Sequence, residues 1–210
     1  MTLKFLSQHP TRHEPSQMLA KLLSQPAGRL YLLTGHVSHG AVINAEFAEM
    51  LRWGAASADR EIVMLVGIWK SNYGEVRDSI AELVAGAIKS LANQGGNYEV
   101  NITFRAADQW HVKAIGLTGI GTKFRDATHA IFGSTNFAWS ARHGDNYELD
   151  LYLDCHTPSG ADLLREYAIA ISNLIKEATV RSRYIHFDED VKTEVLAKYE
   201  NVRLISSGEI

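Results

Sequence analysis

Residues 110–154 read WHVKAIGLTGIGTKFRDATHAIFGSTNFAWSARHGDNYELDLYLD, and the polar pieces of this stretch carry most of the information about the fold. A His-x-Lys pair stands at His111 and Lys113, and a Gly-Ser-Thr-Asn run ends at Asn136. Glu148 then opens an alternation of apolar and polar residues. Side chains two positions apart on a strand point to the same face. A strand over 110–117 would therefore present an imidazole and an ammonium side by side.

These residue types together suit the transfer of a phosphoryl group. An imidazole can act as a nucleophile or proton carrier near neutral pH, and an ammonium is a compact charge for a phosphate oxygen. The hydroxyl of Ser134 and the amide of Asn136, again two residues apart, can both donate to anionic oxygens. A carboxylate at Glu148 can hold an imidazole N–H and fix its tautomer. We expect a histidine-centred oxyanion site that needs neither a metal nor another cofactor.

The same order of residues resembles the motifs of the phospholipase D superfamily, whose members are known as HKD enzymes. In that family the motif histidine attacks phosphorus to form a phosphohistidine, and the lysine and asparagine hold the phosphate. A histidine from a second motif copy protonates the leaving group. The resemblance implies such roles for the matching residues of this sequence. They are His111, Lys113, Ser134, Asn136 and Glu148.

One position departs from the family pattern. The family usually has an aspartate five residues after the lysine, where this sequence has Thr118. The metal-independent restriction endonucleases of the superfamily also show H-x-K followed by Asn and Glu, and this subgroup is the most similar one. The chain has nine histidines but a single H-x-K. The resemblance therefore implies a homodimer in which two copies of His111 share one site.

The overall charge restricts how nucleic acid could bind. The formal net charge is −3 and the isoelectric point is about 6.3, so binding to DNA needs a local basic patch. Lys123, Arg125 and Arg142 could form a basic rim for a phosphate backbone, although isolated surface charges explain them equally well. Cys155 is the sole cysteine, which fits a reducing compartment. No window is apolar enough to span a bilayer, so we expect a cytoplasmic protein without a membrane partner.

The apolar patterns predict an α/β fold with a mixed, mostly parallel β-sheet that is flanked by helices on both faces. The 210 residues suit one catalytic domain over residues 1–180, with residues 181–210 as a helix and strand extension of it. Residues 1–14 are expected to form a loose arm. Strands are predicted at 29–34, 61–68, 98–104, 111–117, 129–134 and 148–154, and an edge strand at 202–205. Helices are predicted at 16–25, 42–53, 76–93, from 157 onward, and at 188–199.

Two loops are expected to flank His111. They are residues 35–40 and 69–74, because loops at the carboxyl ends of strands in such sheets tend to build the site. The candidates for substrate binding are Ser134, His36, Ser38 and Lys70. His36 could instead pair with His39 as a metal ligand, but no third ligand follows at a telling spacing.

Three functions fit these observations. A DNA endonuclease comes first, because the motif is single and the third motif is of the Glu148 type. A phosphodiesterase acting on a lipid or another small phosphodiester comes second. The third is a non-catalytic binding or dimerisation subunit of a larger nucleic-acid complex. The chain leaves little room for a separate sequence-reading domain, so recognition of a DNA target could require a partner subunit.

Overall fold

The computed structural model describes residues 4–9, 12–68, 73–138, 148–185 and 198–206. Its strands are β1 Lys4–His9, β2 Arg12–His13, β3 Arg29–Thr34, β4 Glu61–Ile68, β5 Tyr98–Asp108, β6 Ala114–Thr118, β7 His129–Gly133, β8 Glu148–Asp154, β9 Arg183–Tyr184 and β10 Val202–Ile205. Its helices are α1 Glu14–Leu23, α2 Ala41–Ala55, α3 Tyr73–Ala92 and α4 Pro158–Arg181, with a short 3₁₀ helix at Phe124–Asp126.

The strands form one sheet in the order β10-β5-β4-β3-β6-β7-β8-β1-β2, with β9 pairing β5. The predicted α/β class and the mixed sheet are confirmed. Parallel pairing covers less of the sheet than expected, since it joins only β10 to β5, β5 to β4 and β4 to β3 among the described strands. The pairs from β3 to β2 are antiparallel. The connection between β6 and β7 is short and holds only the 3₁₀ helix, and such a connection suits antiparallel neighbours.

Helices cover both faces of the sheet, as predicted. The central strand β3 shows the division, because Leu30 and Leu32 pack with α1, α2 and α3 on one face. Tyr31 and Leu33 point to the other face, where α4 and the 3₁₀ helix cover them. A strand that is buried on both faces requires a continuous apolar run, and RLYLLT is such a run. The α4 helix begins where expected, since the Thr157 hydroxyl accepts the Gly160 N–H at 3.2 Å.

Several predicted boundaries hold and others are wrong. The strands at 29–34, 61–68 and 202–205 have the predicted limits. The loose arm expected for residues 1–14 is wrong, because β1 pairs antiparallel with β8 from Lys4 opposite Tyr152 to Gln8 opposite Glu148. Most of the helix predicted at 188–199 lies outside the described residues.

The topology gathers the motif residues at one rim of the sheet. Leu33, near the end of β3, pairs with Ala114 at the start of antiparallel β6. Ala114 in turn pairs with Phe132 near the end of β7, and Gly133 pairs with Asp150 near the start of β8. The segments that follow β3 and β7, and those that precede β6 and β8, therefore meet at the same edge.

Candidate active site

His111 and Lys113 lie side by side immediately before β6. The strand begins at Ala114, so the prediction that both residues belong to a strand is wrong. Their side chains nevertheless meet, because the Lys113 Nζ lies 3.0 Å from Nδ1 and 2.9 Å from Nε2 of His111. The same ammonium donates to the His111 carbonyl oxygen at 3.0 Å. His111 is exposed, so an imidazole with an adjacent cation faces the solvent at the rim.

Two glycines let the histidine segment approach the ends of the parallel strands. A Cβ on Gly35, just after β3, would lie 2.8 Å from His111 Cδ2 and 3.2 Å from Asn136 Oδ1. A Cβ on Gly67, near the end of β4, would collide with the carbonyl oxygen of Trp110. Glycine has no Cβ and permits such close approach. The sequence thus brings His111 and Asn136 together against the end of β3.

The amide of Asn136 is oriented by the loop after β3. Its Oδ1 accepts the backbone N–H of His36 at 3.0 Å and lies 3.4 Å from the Thr34 hydroxyl oxygen. Because the His36 N–H occupies the oxygen end, the NH₂ end is the one that can donate to an anionic oxygen. Asn136 can therefore contribute to an oxyanion site beside His111.

The 35–40 loop is fixed to the segment that follows Asn136. The Thr34 hydroxyl donates to the His36 carbonyl at 2.6 Å and accepts the Phe137 N–H at 2.9 Å. Val37 forms a parallel bridge with Phe137, and the Ser38 N–H donates to the Phe137 carbonyl at 3.4 Å. His36 and Ser38 therefore lie beside the site, as predicted.

The histidines of this loop differ in their surroundings. His36 is exposed, but partial loss of hydration lowers the pKa of its imidazole. The Nδ1 of His39 instead lies 2.7 Å from Glu82 Oε2 on α3. Within the described ranges, no group of three or more histidine, cysteine, aspartate or glutamate side chains could hold a metal ion. Lys70, the remaining substrate-binding candidate, lies outside the described residues.

Ser134 joins the site to β8. Its hydroxyl accepts the N–H of Leu149 at 3.0 Å, and its own N–H donates to the Leu149 carbonyl at 3.2 Å. Leu149 follows Glu148, so these bonds hold the first residue of β8 next to the Ser134 turn. The backbone of Glu148 is placed at this rim, whereas its side chain lies outside the described atoms.

Asp150 is a site residue that the sequence analysis missed. It is 3% exposed, and its Oδ1 accepts the backbone N–H of Thr135 at 3.2 Å. It lines a small cavity that also includes Lys113, Gly133 and Thr135. Buried carboxylates need hydrogen-bond or charge partners. A signal was available, because Asp150 shares the strand period of Glu148 and Tyr152 and so faces the same side of the sheet.

Thr118 lies at the far end of β6 from the site. It is fully buried, and its hydroxyl donates to the carbonyls of Gly119 and Thr122, each at 3.3 Å. Five strand residues from Lys113 correspond to about 16 Å. The departure from the family motif therefore does not alter the groups that surround His111.

The predicted basic rim is not assembled beside His111. Lys123 and Arg125 follow the end of β6, opposite to the end at which Lys113 lies. The third member, Arg142, is outside the described residues. Among the described residues, Lys113 therefore supplies the positive charge beside His111.

These features define an α/β protein with a histidine, a lysine and an asparagine gathered at one rim of a mixed sheet, and solved structures share this architecture. No family model and no curated protein matches the sequence. The phospholipase D family member Nuc from Salmonella typhimurium aligns with a TM-score of 0.52 and 14% identity, over 87% of this chain and 97% of that chain. NucT from Helicobacter pylori gives 0.53 and 11%, over 87% and 98%.

A longer protein also shares the fold. Phosphatidylserine synthase from Haemophilus influenzae Rd KW20 aligns with a TM-score of 0.54 and 11% identity, over 94% of this chain and 42% of the synthase. The chain has the phospholipase D fold that its motif residues predicted. In the parts of the chain that the structure describes, no helix is long and apolar enough to cross a membrane.

Proposed function

We propose that this protein is a metal-independent phosphodiesterase that cleaves DNA through a phosphohistidine at His111. The observation that carries the proposal is the contact of the Lys113 ammonium with the exposed imidazole, 2.9 Å from Nε2, beside the Asn136 amide. A nucleophile with two anion-binding groups at a strand rim is the minimum that phosphoryl transfer by this route requires.

The reaction has two displacements at phosphorus. A ring nitrogen of neutral His111 forms a bond to phosphorus as the bond to the leaving oxygen breaks, and a second histidine gives that oxygen its proton. Water then attacks the phosphohistidine, passes a proton to the second histidine, and releases His111 and a phosphate monoester. Lys113 and the NH₂ group of Asn136 stabilise the charge on the non-bridging oxygens. Glu148 is assigned the task of holding the imidazole N–H.

The second histidine is assigned to another copy of the chain. The sequence has one H-x-K, so a homodimer related by a two-fold axis would bring two copies of His111 to one phosphate. The chain spans 97% of Nuc and 98% of NucT but 42% of the synthase. A partner subunit is an additional means of target recognition in this proposal.

DNA is the favoured substrate, and a lipid or small phosphodiester is the second candidate. The resemblance of the motif order to the restriction endonuclease subgroup supports DNA. The second candidate is supported by the fold shared with phosphatidylserine synthase. Both substrates contain a phosphodiester and would use the same residues at the rim.

The test compares wild type with His111→Ala on plasmid and single-stranded DNA in the presence of EDTA. His156→Ala serves as the matched control, because His156 is an exposed histidine at the opposite end of β8. We expect cleavage by wild type and the control and its loss in His111→Ala. After reaction with radiolabelled DNA, protein recovered under alkaline conditions should carry a labelled DNA strand through its phosphate only when His111 is present.

Other results would overturn the proposal or favour another candidate function. Cleavage that survives in His111→Ala would overturn it. Hydrolysis of a phospholipid or of bis(p-nitrophenyl) phosphate without DNA cleavage would favour the second candidate. If wild type turns over none of these substrates, the third candidate function, a non-catalytic subunit, would be favoured.

A further inference from the structure

A second pocket lies on the α4 face of the sheet, away from His111. Its volume is about 430 Å³, which is within the range of small-molecule sites. The 3₁₀ helix forms one side, α4 forms the other, and β3 contributes the base. The lining residues are Tyr31, Lys123, Phe124, Arg125, Ser172, Asn173, Ile175, Lys176, Thr179 and Val180.

The charge of this lining differs from that of the whole chain. The protein has 24 acidic and 21 basic residues, yet Lys123, Arg125 and Lys176 line the pocket and none of the described carboxylates does. A neighbouring acid is Asp126, whose Oδ2 lies 3.7 Å from the Arg125 Nε. Both side chains of that pair are mostly exposed, so their attraction is weak. The pocket is therefore suited to an anion.

The uncharged part of the lining suits a ring system with polar edges. Phe124 and Ile175 are buried apolar residues at its inner side. Tyr31 also lines the pocket, and its hydroxyl accepts a hydrogen bond from the Arg29 Nη1 at 3.3 Å. Ser172 and Asn173 add a hydroxyl and an amide that can bond to the edge of a heterocycle.

The pocket is separate from the candidate active site. It shares no lining residue with the cavity beside Lys113. Tyr31 points to the α4 face, whereas its neighbours Leu30 and Leu32 belong to the opposite face. Lys123 follows the far end of β6. A ligand here would leave His111 open to substrate.

We propose that this pocket binds a nucleoside monophosphate. Lys123, Arg125 and Lys176 hold the phosphate, and the base lies against Phe124 and Ile175. Three cations without a carboxylate match a dianionic phosphate, and the apolar inner side matches a base that inorganic phosphate lacks. The proposal does not require that His111 be catalytic.

The test measures binding of AMP, adenosine and inorganic phosphate by isothermal titration calorimetry. The variants are Lys123→Ala/Lys176→Ala, which removes two pocket cations, and Lys89→Ala/Lys198→Ala, which removes two exposed lysines elsewhere. We expect wild type and the control pair to bind AMP more tightly than phosphate or adenosine. The pocket pair should bind AMP at least about tenfold more weakly, since charge-assisted hydrogen bonds are lost.

A second variant distinguishes loss of the ligand site from misfolding. Ser172→Trp on α4 fills the pocket without removing a charge, and unchanged thermal midpoints would show that both pocket variants fold. Equal AMP affinity in wild type, the pocket pair and Ser172→Trp would overturn the proposal. Loss of AMP binding in His111→Ala alone would also overturn it, because AMP would then bind at the rim. Binding of a single-stranded oligonucleotide without any binding of AMP would overturn it as well.

Discussion

The Oδ1 of Asp150 accepts the backbone N–H of Thr135 at 3.2 Å, and Gly133 has no room for a Cβ beside the same carboxylate. This contact ties β8 to the turn that carries Ser134 and Asn136. The carboxylate also lines the small cavity next to Lys113. From a buried position Asp150 thus links β8 to the turn after β7, beside the cavity that Lys113 also lines.

We expect Asp150→Ala to destabilise the protein by about 1–3 kcal/mol, because a buried N–H then loses its acceptor. Asp150→Asn retains an oxygen for Thr135 and should lose less. Urea denaturation of the three proteins measures the free energy of unfolding. If Asp150→Ala is as stable as wild type, the carboxylate does not hold the turn.

Gly35→Ala should displace His111, since the new Cβ would lie 2.8 Å from its Cδ2. A displacement of about 1 Å can reduce turnover about 100-fold, so we expect a large loss of kcat on the substrate that wild type cleaves. Gly119→Ala is the control, because its Cβ would meet only Thr122 atoms at 3.5 Å. Equal activity of the two variants would show that Gly35 does not limit the position of His111.

The stability of the fold should fall as the pH drops below about 6.5, the ordinary pKa of histidine. Burial and, secondarily, the adjacent His156 lower the pKa of His129, with Lys21 acting in the same direction and Asp154 opposing it. Below about pH 6.5 the unfolded chain takes up a proton at His129 more readily than the folded chain does. The contribution of His129 to the free energy of unfolding is therefore fully present above that pH and is lost as the pH falls through the lowered pKa of the folded state.

His129→Gln tests this pH dependence. Thermal unfolding of the variant should change less than that of wild type between about pH 7.5 and pH 5.5. Some dependence should remain, since the pKa of His36 is also lowered. Identical pH dependence in both proteins would exclude His129 as a source.

Placing the aspartate of the phospholipase D motif in this chain by Thr118→Asp should not raise activity. Thr118 is fully buried and bonds to Gly119 and Thr122 at the far end of β6, so a carboxylate there would lose hydration far from His111. We expect a lower thermal midpoint and no gain in turnover. A gain at unchanged stability would show that this position acts on the site.

The parts of the fold that the sequence predicted are those with local patterns. RLYLLT and EIVMLVGI are apolar runs long enough for strands buried on both faces, and both have the predicted limits. Residues 4–9 have no comparable run, and their strand is held by pairing with β8 and β2. Tertiary pairing of this kind is not visible in a local pattern.

The sequence proposed the members of the candidate site but did not predict their geometry. His111 contacts Lys113, and His111 and Asn136 both lie against Gly35, although the strand begins only at Ala114. Lys123 and Arg125 were expected as a rim for a phosphate backbone, but both follow β6, whereas His111 and Lys113 precede it. A strand leaves the sheet at the end opposite to the one where it enters, so the loop after β6 lies at the edge away from His111.

The pairing of β1 with β8 also bears on how the protein folds. One neighbour of β8 is β7, which is close in sequence, and the other is β1, which is at the far end of the sequence. Contacts distant in sequence close large loops and form slowly. The strand that begins at Glu148 is therefore expected to gain its second partner late, so that catalytic competence would appear after most of the native helix content has formed.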